Sequence, residues 1–296
     1  NRLAEREGKI MTLSVSFEVF PPKSVDGLDE LRSTVSQLRD VGADFVSVTY
    51  GAGGAGRERS IAAIEAVRAE GLDVAGHLTC VGQPRSDVDA VIDAYQALGV
   101  SRVVALRGDP PAGVDAPYEA HSDGYQRTAD LVSAIKRRAA FDITVSAYPE
   151  RHPQSPSHDH DIDVLAEKVA AGADSATTQM FFDNAHFLRY RDRIDARGIG
   201  VRLIPGIFPI HCFATVARFA ERCGATIPQR IAARFRGLDA DHQATRTVAA
   251  EVAASQVAEL VEHGVDAVHI YTLNRADLAI AVCRQLELPG LATASV

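Results

Sequence analysis

Apolar residues fall along this chain in short runs rich in β-branched side chains, at about 14–20, 44–49, 73–79, 101–107, 142–148, 174–180, 200–206 and 266–272. Each run has the length and composition of a buried strand. Between them the apolar positions change period. Leu28, Leu31, Val35 and Leu38 recur at helix spacing after the first run, as do Val88, Val91, Ile92, Tyr95 and Leu98 after the third. Gly42, Gly71, Gly172 and Gly264 each stand two residues before an Asp that leads into the next strand, where a helix would end on a left-handed glycine. A βα unit repeated eight times predicts a closed parallel (β/α)8 TIM barrel. The alternative, a doubly wound open sheet, lacks its Gly-x-Gly-x-x-Gly turn after the first strand.

The stretch 207–265 is too long for one crossover and predicts extra helices between strands seven and eight, around 213–223, 228–235 and 245–263. With 296 residues, 46% of them hydrophobic, and no Pro/Gly/Ser-rich linker, the chain reads as one catalytic domain over 14–296. Residues 1–13 read as a flexible lead, with Met11 as a possible start. The formal charge of −8 and the scattered basic residues argue against nucleic acid as a partner. No apolar run approaches the roughly 20 residues that span a bilayer, so neither a membrane partner nor a signal peptide is expected and the predicted location is cytoplasmic. Cys80, Cys212, Cys223 and Cys283 are widely spaced and read as reduced packing residues.

Chemistry in such a barrel gathers at the C-terminal ends of the strands. Those ends carry Glu18, Thr49-Tyr50, His77 to Thr79, Arg107-Gly108-Asp109, Tyr148 to His152, Gln179 and Tyr271 to Arg275. That set converges on one ligand site at one mouth. Glu18 lies among Phe17, Val19 and Phe20, an apolar setting that raises a carboxyl pKa toward values useful in a general acid; the plainer reading is a solvent-facing edge residue. The glycine-rich segment 51–56 could approach a flat ring or a phosphate, but lacks the Lys-Ser/Thr ending of a P-loop. His152, His158 and His160 alternate with Asp159 and Asp161 in a polar loop, and no closed metal site is expected. No Gly-x-Ser-x-Gly elbow is present.

Ser16-Phe-Glu-Val-Phe-Pro-Pro22, Val46-Ser-Val-Thr-Tyr-Gly51, Gly76-His-Leu-Thr-Cys80, Ala105-Leu-Arg-Gly-Asp109, Ala147-Tyr-Pro-Glu-Arg-His152, Thr178-Gln179, Ile204-Pro-Gly-Ile207 and Tyr271-Thr-Leu-Asn-Arg275, in that order, resemble bacterial 5,10-methylenetetrahydrofolate reductase over about 14–290. The resemblance implies a flavoprotein that takes a hydride from NADH or NADPH onto non-covalent FAD and delivers it to the folate. It implies that Glu18 is the general acid and Asp109 the carboxylate between flavin and pterin. It assigns Thr49, Tyr50, Ala52, His77, Arg107, Gly108, Asp109, Tyr125, Tyr148, His152, Asp161 and Lys168 to the cofactor. Gln179, Thr215, Phe219 and Arg275 join Glu18 and Asp109 at the substrate; for Phe219 and Arg275, core packing and a barrel-closing salt bridge are the plainer readings. Thr215, in place of a Gln, Glu167 before Lys168, and the long segment 112–124 depart from the enterobacterial pattern. The apolar outer helices predict a homo-oligomer. A flavin-free barrel lyase or hydrolase, and a non-catalytic folate or flavin binder, remain open on the residues alone.

Overall fold

The computed structural model describes residues 13–24, 27–51, 56–110, 116 and 118–286. Its strands are β1 Ser14–Val19, β2 Phe45–Val48, β3 Asp73–Thr79, β4 Arg102–Leu106, β5 Asp142–Ala147, β6 Ser175–Thr178, β7 Arg202–Ile204, β8 Gly206–Ile207 and β9 Ala267–Tyr271. The helices between them are α1 Gly27–Asp40, α2 Arg57–Ala69, α3 Arg85–Ala97, α4 Thr128–Arg138, α5 His158–Ala170, α6 Asn184–Ala196, α7 Phe213–Arg222, α8 Gln229–Arg234, α9 His242–Glu262 and, after β9, α10 Ala276–Gln285.

All pairings are parallel, in the order β7-β6-β5-β4-β3-β2-β1-β9-β8. β7 and β8 are separated only by Pro205, so they are the two halves of the predicted seventh strand. The first half pairs with β6 and the second with β9, which closes the barrel. Proline explains the break, because it has no N–H to give to a ladder. Its carbonyl is still used, accepting from the His269 N–H at 2.9 Å. The three helices expected between the last two strands are α7, α8 and α9. Among the described residues, no helix is long and apolar enough to cross a membrane.

The strands alternate in an instructive way. Val15, Phe17 and Val19 on β1, and Val46 and Val48 on β2, are buried in the apolar layer shared with the helices. Their neighbours Ser16, Glu18 and Ser47 belong to the barrel interior, where the Ser16 and Ser47 hydroxyls meet His269 Nδ1 at 2.8 Å and Nε2 at 3.3 Å. The principal core therefore lies between sheet and helices. Inside the barrel, polar side chains surround a cavity that reaches from the mouth down to Phe45, Thr144 and His269.

Candidate functional site

Most observed strands stop one or two residues before the apolar runs do. Thr49, Tyr50, Tyr148 and Gln179 consequently stand just beyond the last paired residue, where side chains leave the ladder and turn to the mouth. They join Glu18, His77, Thr79, Arg107, Gly108, Asp109, His152, Phe208, Phe219, Tyr271 and Leu273 around a cavity of about 360 Å³. A second hollow of about 500 Å³ shares Arg107, Asp109, Tyr148, His152, Gln179 and Phe219 with it and extends to Arg222 and Cys223. Together they form one polar trough at the mouth, in the size range of small-molecule sites.

At its inner end, Glu18 Oε2 stands 3.7 Å from His77 Nε2. This is not an ion pair. Burial pushes the Glu18 carboxyl up to about 8. Burial, helped by His269, pulls His77 down to about 3, and burial pulls His269 down to about 4. Near neutral pH a protonated acid therefore faces a neutral imidazole. The consequence for stability has a definite sign. Below about pH 4.5 Glu18 is protonated folded or unfolded; between about 4.5 and 8 only the folded chain keeps the proton, so its contribution falls as pH rises, and above 8 it is constant. Glu18→Gln removes that slope. Its melting temperature is expected to gain several degrees on the parent's between pH 5 and 8, with no difference at pH 4; a constant offset across that range would contradict the burial argument.

The outer part of the trough is cationic and polar. Arg107 Nη2 donates to Gln154 Oε1 at 2.8 Å, and its guanidinium lies 4.7 Å from the Tyr118 ring. Lys168 is buried on α5, donates to Ser146 O at 2.9 Å, and is lowered by burial to about 8. Asp161 Oδ2 accepts from the His152 N–H at 2.9 Å, fixing the loop that packs the His152 ring edge-on to Tyr148, 4.7 Å between centroids. Gly108 has φ +85°, and an added Cβ would lie 2.5 Å from Val81 Cγ1 and 2.8 Å from Thr79 Cβ, so the backbone here comes close because no side chain intervenes.

These features fit a flavin nucleotide. Among the described residues, His77 Nε2 and Thr79 Oγ1 are buried in the cavity wall without a hydrogen-bond partner, a costly arrangement that a polar ligand edge would relieve. Gly108 brings bare backbone to the cavity wall, and Arg107 supplies a planar cationic fork suited to phosphate.

The structure does not bring every expected residue to the lining. Tyr125 donates to Asp89 Oδ1 at 2.6 Å and stacks under Arg85, away from the trough. Asp161 and Lys168 support its wall from behind. Thr215 is on α7 beside Cys212, and Arg275 borders a small hollow with Pro209, His211 and Leu278. Ala52 lies outside the described residues, as do residues 1–12, 53–55, 111–115 and 117 of the segments singled out in the sequence. Phe20, Phe208, His269, Tyr118 and Ser146 were not anticipated. The polar alternation of Val268-His269-Ile270-Tyr271 is the signal that could have found His269; Tyr118 carries none.

A family model described as methylenetetrahydrofolate reductase matches residues 3–287. The 5,10-methylenetetrahydrofolate reductase of Salmonella typhimurium is 40% identical over 291 residues, covering 98% of this chain and 95% of that protein. That of Pectobacterium carotovorum is 41% identical over 285 residues, 96% and 92% of the two chains. Among solved structures, an uncharacterised protein from Clostridium thermocellum that binds two copies of 5-methyl-5,6,7,8-tetrahydrofolic acid superposes with a TM-score of 0.60 at 10% identity, over 93% of this chain and 96% of that one. At that identity the likeness is one of fold.

Proposed function

The chain belongs to the methylenetetrahydrofolate reductase family, and from that premise we propose that it reduces 5,10-methylenetetrahydrofolate to 5-methyltetrahydrofolate, with NADH or NADPH as donor and FAD held in the trough. The observation that carries this reading is the Glu18 carboxyl, kept neutral by burial, at the inner end of a cavity whose outer part is lined by Arg107 and Arg222. FAD held there would supply the hydride chemistry that links nicotinamide to folate, the two substrates taking turns in the trough.

Arg107 offsets diphosphate charge from the lining, and Lys168 adds its charge from behind the wall. His77 and Thr79 offer their unpartnered atoms to the ring system, and Gly108 presents its backbone in the same wall. Thr49, Tyr50, Tyr148 and His152 complete the cofactor's surroundings, and Asp161 holds His152 in place. Glu18 gives its carboxyl proton to the leaving nitrogen of the folate's five-membered ring, which opens to an iminium able to take a hydride. Asp109 at the rim and Gln179 hold the pterin; Phe219, 42% exposed, offers a stacking face to the aryl group or the nicotinamide. Arg275 and Thr215, which the structure places outside the trough lining, and Tyr125 and Ala52 stand in the proposal on the resemblance alone. The product would feed methionine synthesis in the cytoplasm, from a homo-oligomer.

Stopped-flow absorbance tests the relay. Mixing the yellow protein with NADH or NADPH should bleach the oxidised flavin band, and subsequent methylenetetrahydrofolate should restore it without oxygen. A protein that cannot be loaded with FAD, or bleaching with no recovery on folate, would overturn the reading.

A further inference from the structure

We propose that Thr272 and Asn274 are positioning residues for Glu18: the turn after β9 grips the backbone of the turn after β1 and sets where the Glu18 carboxyl stands. This rests on the general-acid reading of Glu18. The paired register of the two strands ends at Glu18 and Tyr271. Beyond it, side chains take over the work of a ladder. Asn274 Oδ1 accepts the Phe20 N–H at 2.7 Å, and Asn274 Nδ2 donates to Phe20 O at 3.0 Å, so one amide satisfies both backbone groups of one residue. Thr272 Oγ1 donates to Glu18 O at 2.6 Å and accepts the Asn274 N–H at 3.0 Å. The grip joins residues 254 positions apart in sequence.

Backbone geometry points the same way. Leu273 and Asn274 are left-handed, φ 50° and 59°. Asparagine tolerates that region, whereas for leucine it is strained, and such strain persists only where the surroundings enforce it. Here the left-handed pair folds Asn274 back onto Phe20, and it places Leu273 with Phe20 in the cavity lining beside Glu18.

What the grip controls follows from what faces Glu18. β3 presents His77, and β9 presents Tyr271 and, below it, His269; Ser47 on β2 and Thr49 just past its end are uncharged. His77 and His269 are lowered by burial and Tyr271 is raised by it, so all three are neutral near pH 7. No formal charge among these groups tunes the carboxyl. Exclusion of water does, and that depends on how firmly residues 18–20 are held. Freed from Asn274 and Thr272, the segment admits water and the carboxyl ionises at lower pH.

The test follows the protonated Glu18 carbonyl band by infrared titration of the holoprotein, assigned by its absence in Glu18→Gln, and both half-reactions by stopped flow. Asn274→Ala and Thr272→Val are expected to lower the titration midpoint by about two pH units, which cuts the protonated fraction at pH 7.5 by roughly 25-fold and slows folate reduction in proportion, while flavin reduction by NADH is unchanged. Thr272→Ser, which keeps the hydroxyl, should restore the parent's midpoint. A midpoint unmoved in both clamp variants, or moved equally in Thr272→Ser, overturns the proposal. If Glu18→Gln itself reduces folate at the parent's rate, the general-acid reading is what fails; a midpoint still lowered by Asn274→Ala would then leave the positioning of Glu18 standing.

Discussion

Replacing Glu18 by Gln is expected to slow reduction of the folate by about 10²- to 10⁴-fold, the usual span for removing a general acid, while leaving reduction of the flavin by NADH nearly untouched. The asymmetry is the informative part. Gln matches Glu in shape and can still donate a hydrogen bond, but has no proton to give to a leaving nitrogen. Because the carboxyl is neutral where it stands, the exchange of one uncharged group for another leaves His77 without a new electrostatic problem. A parent whose folate half-reaction declines above about pH 8, beside a variant whose residual rate is flat there, would tie the loss to the proton itself. Equal losses in the two half-reactions would instead make Glu18 a holder of the flavin.

The sequence discloses this acid more readily than it discloses what governs it. Strands, helices and the mouth follow from periodicities within 20 residues or so, and an ionisable group ending an apolar run, as Glu18 and Arg107 do, is visible locally. Two things were not. Ser16 and Ser47, on the interior face with Glu18, are masked inside apolar runs, so the polar cavity below the mouth and His269 at its base are not legible in the sequence. The closing seam rests on non-local contacts: Asn274 meets Phe20 from the opposite end of the chain, and Gly206 donates to Thr178 across a whole βα unit, bonds that no local pattern announces. Tyr118 and Tyr125 show the same limit. Both are tyrosines in the segment after β4, yet only tertiary packing sets one against Arg107 and the other on Asp89.

That seam supports the second large effect. Gly206→Ala is expected to destabilise the protein by at least about 4 kcal/mol, lowering its melting temperature by roughly 10 °C or more, or to prevent folding altogether. Gly206 is the residue through which the split seventh strand reaches β9: it pairs with His269, and its N–H donates to Thr178 Oγ1 at 2.9 Å. A Cβ there would fall inside contact distance of the Thr178 carbonyl oxygen and 2.7 Å from a ring carbon of Tyr271. Overpacking of a core usually costs about 1–3 kcal/mol because side chains can shift. Here the obstruction includes backbone, and the Tyr271 ring is itself pinned by a 2.8 Å bond from its hydroxyl to that same Thr178 oxygen. Relief requires opening the β8–β9 pairing or breaking the Tyr271 bond. Either would loosen the wall beside Glu18, so any folded fraction should also show a lowered Glu18 midpoint. Gly200→Ala is the matched control, since nothing lies within 4 Å of its added methyl. Thermal melts of the two variants decide the matter: a Gly206→Ala protein melting within a degree or two of Gly200→Ala would mean that the seam yields, and that barrel closure does not depend on the bare backbone at this position.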